Sequence, residues 1–115
     1  MTKDLCILGS TGSIGRQALD VVDQCGLHVT ALTACKNVDI IEGQIRKYRP
    51  AYAAMSDEAA AAELKARVAD TGTQVFSGHE GVCECARASG ADTVLNAIVG
   101  IAGLEPTLAA VQAGK

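Results

Sequence analysis

Leu5-Cys6-Ile7-Leu8-Gly9-Ser10-Thr11-Gly12-Ser13-Ile14-Gly15 is the stretch on which the fold turns. Its first four residues form an unbroken apolar run, the pattern of a strand buried on both faces. From Ser13 to Gln24 the period changes, and Ile14, Ala18, Val21, Val22 and Cys25 fall on one helical face. Gly26 then supplies a helix stop. Between strand and helix lies G-x-x-G-x-x-G. Gly9 permits a tight turn, Gly12 lets a pyrophosphate approach the backbone, and Gly15 lets the helix pack closely. The N–H groups of the first helical turn, with the helix dipole, suit phosphate oxygens. Thr11 and Ser13 add hydroxyl donors. The alternative is an ordinary βα turn without ligand. The strand before the motif and the helix after it are the context that a dinucleotide cradle requires.

The same alternation continues downstream. His28 to Thr33 is β-branched and strand-like. Asn37 offers an N-cap, and Ile41, Ile45 and Tyr48 mark one face of a helix that Pro50 stops. Ala51 to Met55 reads as a third strand. Ser56 is the expected cap of an Ala-rich helix closed by Thr71-Gly72, with Glu63 and Arg67 at i,i+4 spacing. Gln74 to Ser77 is a short fourth strand and His79 to Ser89 a helix. Thr93 to Ile98 is a fifth strand, followed by a second glycine turn at Gly100 and Gly103. Glu105-Pro106 opens a last helix. Strict alternation implies an α/β fold, a doubly wound parallel sheet of Rossmann type, with residues 1–115 forming a single dinucleotide-binding domain.

Composition narrows the function. The chain has 115 residues, with 10 Lys and Arg against 13 Asp and Glu, and a net charge of −3. An acidic chain with 3% aromatic residues and no Trp lacks the basic field and stacking rings of a nucleic-acid binder. No apolar run is long enough to span a membrane, and no secretory signal opens the chain. Five cysteines, an odd number, fit a reduced cytoplasmic protein that uses thiols as small hydrophobes.

Two further spots bear on a nucleotide. The end of the second strand, Ala34-Cys35-Lys36-Asn37, lacks the carboxylate that usually takes a ribose 2′-hydroxyl; the first is Asp39. Lys36 is suited to a 2′-phosphate, with Asn37 as a hydrogen-bonding neighbour, which points toward NADP. Position alone leaves this open against a merely solvated loop charge. Ala97 ends the fifth strand on the same sheet edge as the first turn, placing it beside the nicotinamide half or simply in the core. Catalytic machinery is scarce. His79 and Cys83 share i,i+4 spacing without completing a metal motif. Ser13 and Ser77 lack a triad. Tyr48 and Tyr52 lack the lysine at helical spacing that short-chain dehydrogenases use.

The residues together resemble the 1-deoxy-D-xylulose 5-phosphate reductoisomerase family. The resemblance is carried by Leu8 to Gly15, Leu19-Asp20-Val21-Val22, Lys36-Asn37-Val38 and Arg49-Pro50-Ala51-Tyr52-Ala53. It continues through Ala97 to Leu104, Pro106 to Ala110, and Ala113-Gly114-Lys115. It implies an NADPH-dependent oxidoreductase of the non-mevalonate route to isoprenoids. Such an enzyme rearranges a sugar phosphate and reduces the aldehyde intermediate to 2-C-methyl-D-erythritol 4-phosphate, using Mg²⁺, Mn²⁺ or Co²⁺, and is typically a homodimer. By resemblance, Thr11, Gly12, Ser13 and Ile14 hold the pyrophosphate. Cys35, Lys36 and Asn37 lie at the adenosine 2′-phosphate, and Ala97 approaches the nicotinamide. Cys35 departs from the small residue common in the family and would be strained if its φ were positive. The family's metal carboxylates, substrate-phosphate ligands, flap and dimerisation region have no counterpart here. The expectation is therefore a chain that binds NADPH, carries no catalytic or metal residues, and is inactive alone. Two alternatives are the cofactor domain of another NADP-dependent oxidoreductase and a free-standing NADPH-binding regulatory module.

Overall fold

In chain order the elements are β1 (Asp4–Leu8), α1 (Ser13–Cys25), β2 (His28–Ala34), α2 (Val38–Tyr48), β3 (Tyr52–Met55), α3 (Glu58–Arg67), β4 (Gln74–Ser77), α4 (Gly78–Ala88) and β5 (Thr93–Asn96). The computed structural model describes residues 4–88 and 93–96. Expectations for Ala97, Ile98, the Gly100–Gly103 turn and the helix beyond Glu105 lie outside the described residues.

The five strands form one parallel sheet in the order β4-β3-β2-β1-β5. The chain steps outward from β1 to β4, then returns to place β5 on the other side of β1. That reversal beside β1 is the switch point at which such sheets bind ligands. Two cores follow from strand alternation. Ile7, Leu32, Ala53 and Met55 face α1, α2 and α3, packing with Leu19, Val22, Ile41, Ile45 and Leu64. Cys6, Leu8, Ala31 and Ala54 face the opposite way, onto Val82, Cys83, Cys85 and Ala86 of α4. The doubly wound α/β fold expected from the sequence is the one formed. A register shift between Leu5 and Cys6 leaves Thr30 as the extra residue of β2. Its hydroxyl donates to the Leu5 carbonyl at 3.3 Å, replacing part of the interrupted ladder.

Helix ends follow local chemistry. Gly26 closes α1 at φ 67°, with its N–H bonded to the Val22 carbonyl. Asn37 caps α2 by accepting from the Ile40 N–H. The cap of α3 is Asp57, not Ser56; its carboxylate accepts from the Ala59 and Ala60 N–H groups. An ionised acceptor beside the helix dipole outcompetes the neighbouring hydroxyl. That helix also ends sooner than expected, at Arg67, and Thr71 closes a separate turn by donating to the Val68 carbonyl.

The buried face of α1 needs correction. Ile14 is 53% exposed, Val21 is 49% exposed, and Cys25 is also exposed. Of the expected stripe, Val22 is buried and Ala18 half-buried, and the core also receives Leu19 beside Gly15. The stripe is rotated because Gly15, invisible to hydrophobic periodicity, packs tightly against the turn that leaves β1. A Cβ there would stand 2.3 Å from the Gly9 carbonyl oxygen and 2.6 Å from Ser10 Cα.

Candidate functional site

All strands are parallel, so the β1–α1 and β2–α2 turns emerge at one sheet edge. Gly9 takes φ 80°, which redirects the chain away from β1. Its N–H donates to both the carbonyl and the hydroxyl of Thr33, and the Ser10 N–H donates to the same carbonyl at 2.8 Å. The first turn is thereby pinned to the end of β2. Thr11 and Gly12 follow on the surface, Ser13 opens α1, and exposed Ile14 belongs to its first turn.

Two observations mark this turn as a place for an anion. No side chain caps α1 and no acidic residue occupies its first turn, whereas α2 and α3 have both. The first N–H groups of α1 thus lack the partners that the other two helices supply themselves. Gly12 also has ordinary extended backbone, φ −77° and ψ 175°. A Cβ there would find nothing nearer than the Gly9 carbonyl oxygen at 3.8 Å. Nothing within the described protein demands glycine at that position, so the bare backbone is open to a ligand.

The second turn presents Cys35, Lys36 and Asn37, all exposed. Asn37 spends its side-chain oxygen on the α2 cap. Lys36 has no ion-pair partner among the described residues. Asp39 turns away and pairs with Arg67 of α3 at 2.6 Å. The β2–α2 turn itself, Cys35 to Asn37, therefore offers a cation and no carboxylate, the polarity that suits a phosphate. Among the described non-glycine residues only Arg49 has positive φ, so Cys35 sits in an ordinary backbone region. The anticipated strain is absent. Ala97 lies outside the described residues.

Sequence reasoning passed over three polar residues that build this edge. Ser10 and Thr33 are buried, and Gln44 of α2 is half-buried against them. The Ser10 hydroxyl donates to Gln44 Oε1 at 2.7 Å, and Gln44 Nε2 returns a hydrogen bond to the Ser10 carbonyl at 2.9 Å. Nothing in hydrophobic periodicity announces such a pair. Arg16 adds an outer tie, its Nε donating to the Thr11 carbonyl at 2.9 Å.

The rest of the described chain offers little reactive chemistry. Cys85 is buried, and desolvation pushes its thiol well up, making it a packing group. His79 is exposed while Cys83 belongs to the core beneath α4. No group of three or more His, Cys, Asp or Glu side chains placed to hold a metal ion occurs among the described residues. Among them, no helix is long and apolar enough to cross a membrane.

Comparison with known proteins supplies the family. The family model for 1-deoxy-D-xylulose 5-phosphate reductoisomerase matches residues 5–115. The chain belongs to that reductoisomerase family. A relative of the same name from Halothermothrix orenii is 47% identical over 117 residues, covering 100% of this chain and 30% of its own length. A crystal structure of DOX-P reductoisomerase in complex with magnesium superimposes with a TM-score of 0.93 at 39% identity, covering 100% of this chain and 30% of that one. The enzyme from Zymomonas mobilis in complex with NADPH also gives a TM-score of 0.93, at 33% identity, covering 100% of this chain and 31% of its own. The chain thus spans less than a third of the length of the reductoisomerases it matches.

Proposed function

We propose that residues 1–115 are the NADPH-binding domain of a 1-deoxy-D-xylulose 5-phosphate reductoisomerase. The observation that carries this reading is the pairing, on one sheet edge, of an uncapped helix N-terminus with a lysine that has no ion-pair partner among the described residues. The first suits a pyrophosphate and the second a 2′-phosphate. A magnesium complex and an NADPH complex among solved relatives of the same fold support it.

In this reading Thr11, Gly12, Ser13 and Ile14 cradle the pyrophosphate through backbone N–H groups. Lys36 and Asn37 face the adenosine 2′-phosphate beside Cys35, and Ala97 lies by the nicotinamide. NADPH supplies the hydride that reduces the rearranged aldehyde. The described residues hold and orient the cofactor at the switch point. In this reading the general acid and base, and the ligands of the Mg²⁺, Mn²⁺ or Co²⁺, belong to the part of the reductoisomerases that this chain does not span. Among the described residues no group of three or more His, Cys, Asp or Glu is placed to hold a metal ion. The full-length enzyme is a cytoplasmic homodimer acting on a small sugar phosphate.

The test is cofactor titration and turnover with the full-length protein. NADPH binds at least about tenfold more tightly than NADH, the margin expected from one charge-assisted phosphate contact. NADPH is consumed only when 1-deoxy-D-xylulose 5-phosphate and a divalent metal are both present. Tighter binding of NADH, or no consumption under those conditions, defeats the proposal.

A further inference from the structure

We infer that Gln44 is a positioning residue that fixes the glycine-rich turn and ties it to the helix that Lys36 and Asn37 lead into, so that both phosphate-reading turns are set as one unit. This rests on the cofactor reading above.

The geometry is a closed ring. The carboxamide of Gln44 uses its acceptor on the Ser10 hydroxyl, at 2.7 Å, and its donor on the Ser10 carbonyl, at 2.9 Å. Ser10 is fully buried and follows Gly9, where the chain leaves the sheet. The Ser10 hydroxyl has one proton. The Thr33 carbonyl stands farther off, at 3.3 Å, and already accepts from the Gly9 and Ser10 N–H groups, so that proton goes to Gln44. The carbonyl held by Gln44 precedes Thr11, where the exposed part of the turn begins.

Gln44 sits on α2, whose N-cap is Asn37, with Lys36 one residue earlier. A displacement of that helix therefore reaches Ser10 through two hydrogen bonds, and the reverse also holds. Each bond is partly buried, which raises the cost of leaving either end unmade. Leucine can make neither bond. A carboxylate can accept from the hydroxyl but cannot donate to the carbonyl, and it adds negative charge beside a phosphate site.

The experiment uses the full-length protein with Gln44→Leu, Gln44→Glu and Gln44→Asn, alone and combined with Lys36→Ala. NADPH dissociation constants are read by fluorescence titration, alongside melting temperature and steady-state kinetics. Gln44→Leu raises the NADPH dissociation constant and KM about tenfold, the size of two net hydrogen bonds of ordinary strength, with kcat at saturating cofactor within about twofold. Gln44→Glu is at least as impaired, and Gln44→Asn recovers part of the loss. Because the turns act together, Gln44→Leu with Lys36→Ala weakens binding by at least about threefold less than the product of the single effects. Unchanged affinity in a folded Gln44→Leu, equal loss in kcat and affinity, or strictly multiplicative effects would overturn the inference. If Gln44→Leu does not fold, Gln44→Glu and Gln44→Asn decide the matter by the same criteria. A wild-type protein that binds no NADPH rejects the cofactor reading itself, a separate outcome.

Discussion

The Arg67 guanidinium reaches from the last turn of α3 to the first turn of α2 and holds the Asp39 carboxylate at 2.6 Å. Glu42 and Glu63 complete the cluster around the same arginine, at 3.4 Å each. Each exposed pair adds little stability by itself. Its consequence for function is directional. The acid nearest to Lys36 along the helix is committed to Arg67 and leaves the lysine without an ion-pair partner among the described residues.

Replacing Lys36 by alanine in the full-length protein should therefore discriminate between cofactors. A hydrogen bond to a charged group contributes about 1.5–3 kcal/mol. NADPH binding is expected to weaken by about tenfold or more, while NADH binding changes by less than about twofold. Calorimetric titration of both cofactors checks this. Equal weakening of the two would remove Lys36 from the 2′-phosphate.

Gly12 and Gly15 should separate binding from folding. A methyl group at Gly15 meets backbone atoms at 2.3 Å and 2.6 Å, which cannot swing aside. Gly15→Ala is expected to cost at least about 1–3 kcal/mol in stability. Gly12→Ala meets nothing closer than 3.8 Å and should change stability by no more than about 1 kcal/mol. Its effect falls on NADPH affinity, because the methyl enters the phosphate's approach. Urea denaturation paired with cofactor titration tests both; a Gly12→Ala protein with normal affinity would move the pyrophosphate elsewhere.

Cys35→Gly is expected to bring no gain in stability. Cys35 lacks positive φ, so glycine relieves no strain and only adds freedom to the unfolded chain. The expected change is neutral to about 1 kcal/mol destabilising. A rise in melting temperature would mean that the backbone at Cys35 is strained after all.

Acid should loosen the α2–α3 surface through Asp70. The hydrogen bond from Arg46 holds the Asp70 carboxyl below its ordinary 3.8. The folded form therefore favours the ionised acid. This contribution is complete above pH 3.8 and is lost as pH falls below that value through the lowered folded value. Wild type should exceed Asp70→Asn slightly in melting temperature near neutral pH, and the gap should close in strong acid. A gap that persists in strong acid would assign the difference to something other than this ionisation.

Much of the architecture is legible in the sequence because local signals agree with it. Gly26 ends α1 and Asn37 caps α2, as their residue types imply. Leu5 to Leu8 reads as buried strand and lies inside the sheet, between β2 and β5. The glycine spacing likewise locates the turn that opens α1. What escapes is whatever depends on distance in space. The stripe of α1 is misread because β-branched Ile14 and Val21 outweigh Gly15, although close approach to Gly9 and Ser10 sets which face turns inward. Ser56 and Asp57 are both capping types, and one residue of register separates them. Ser10, Thr33 and Gln44 are polar and aperiodic, so their convergence becomes visible only when β1, β2 and α2 are assembled.

The order of the strands also bears on how the molecule comes together. β1 meets β2 across a single crossover, but its other edge pairs Leu5 with Thr93 and Leu8 with Asn96. Most of the described chain must be looped to make that second join. By the logarithmic dependence of closure entropy on length, it costs about 1 kcal/mol more than the first. Pairings of such range are rewarded late along a folding route. The crevice beside β1 is therefore complete only once β5 has joined the sheet. A dinucleotide lying across it binds the completed sheet alone, and mass action then favours that state. In this fold the cofactor would serve as a thermodynamic latch, holding shut the seam that the chain itself closes at greatest cost.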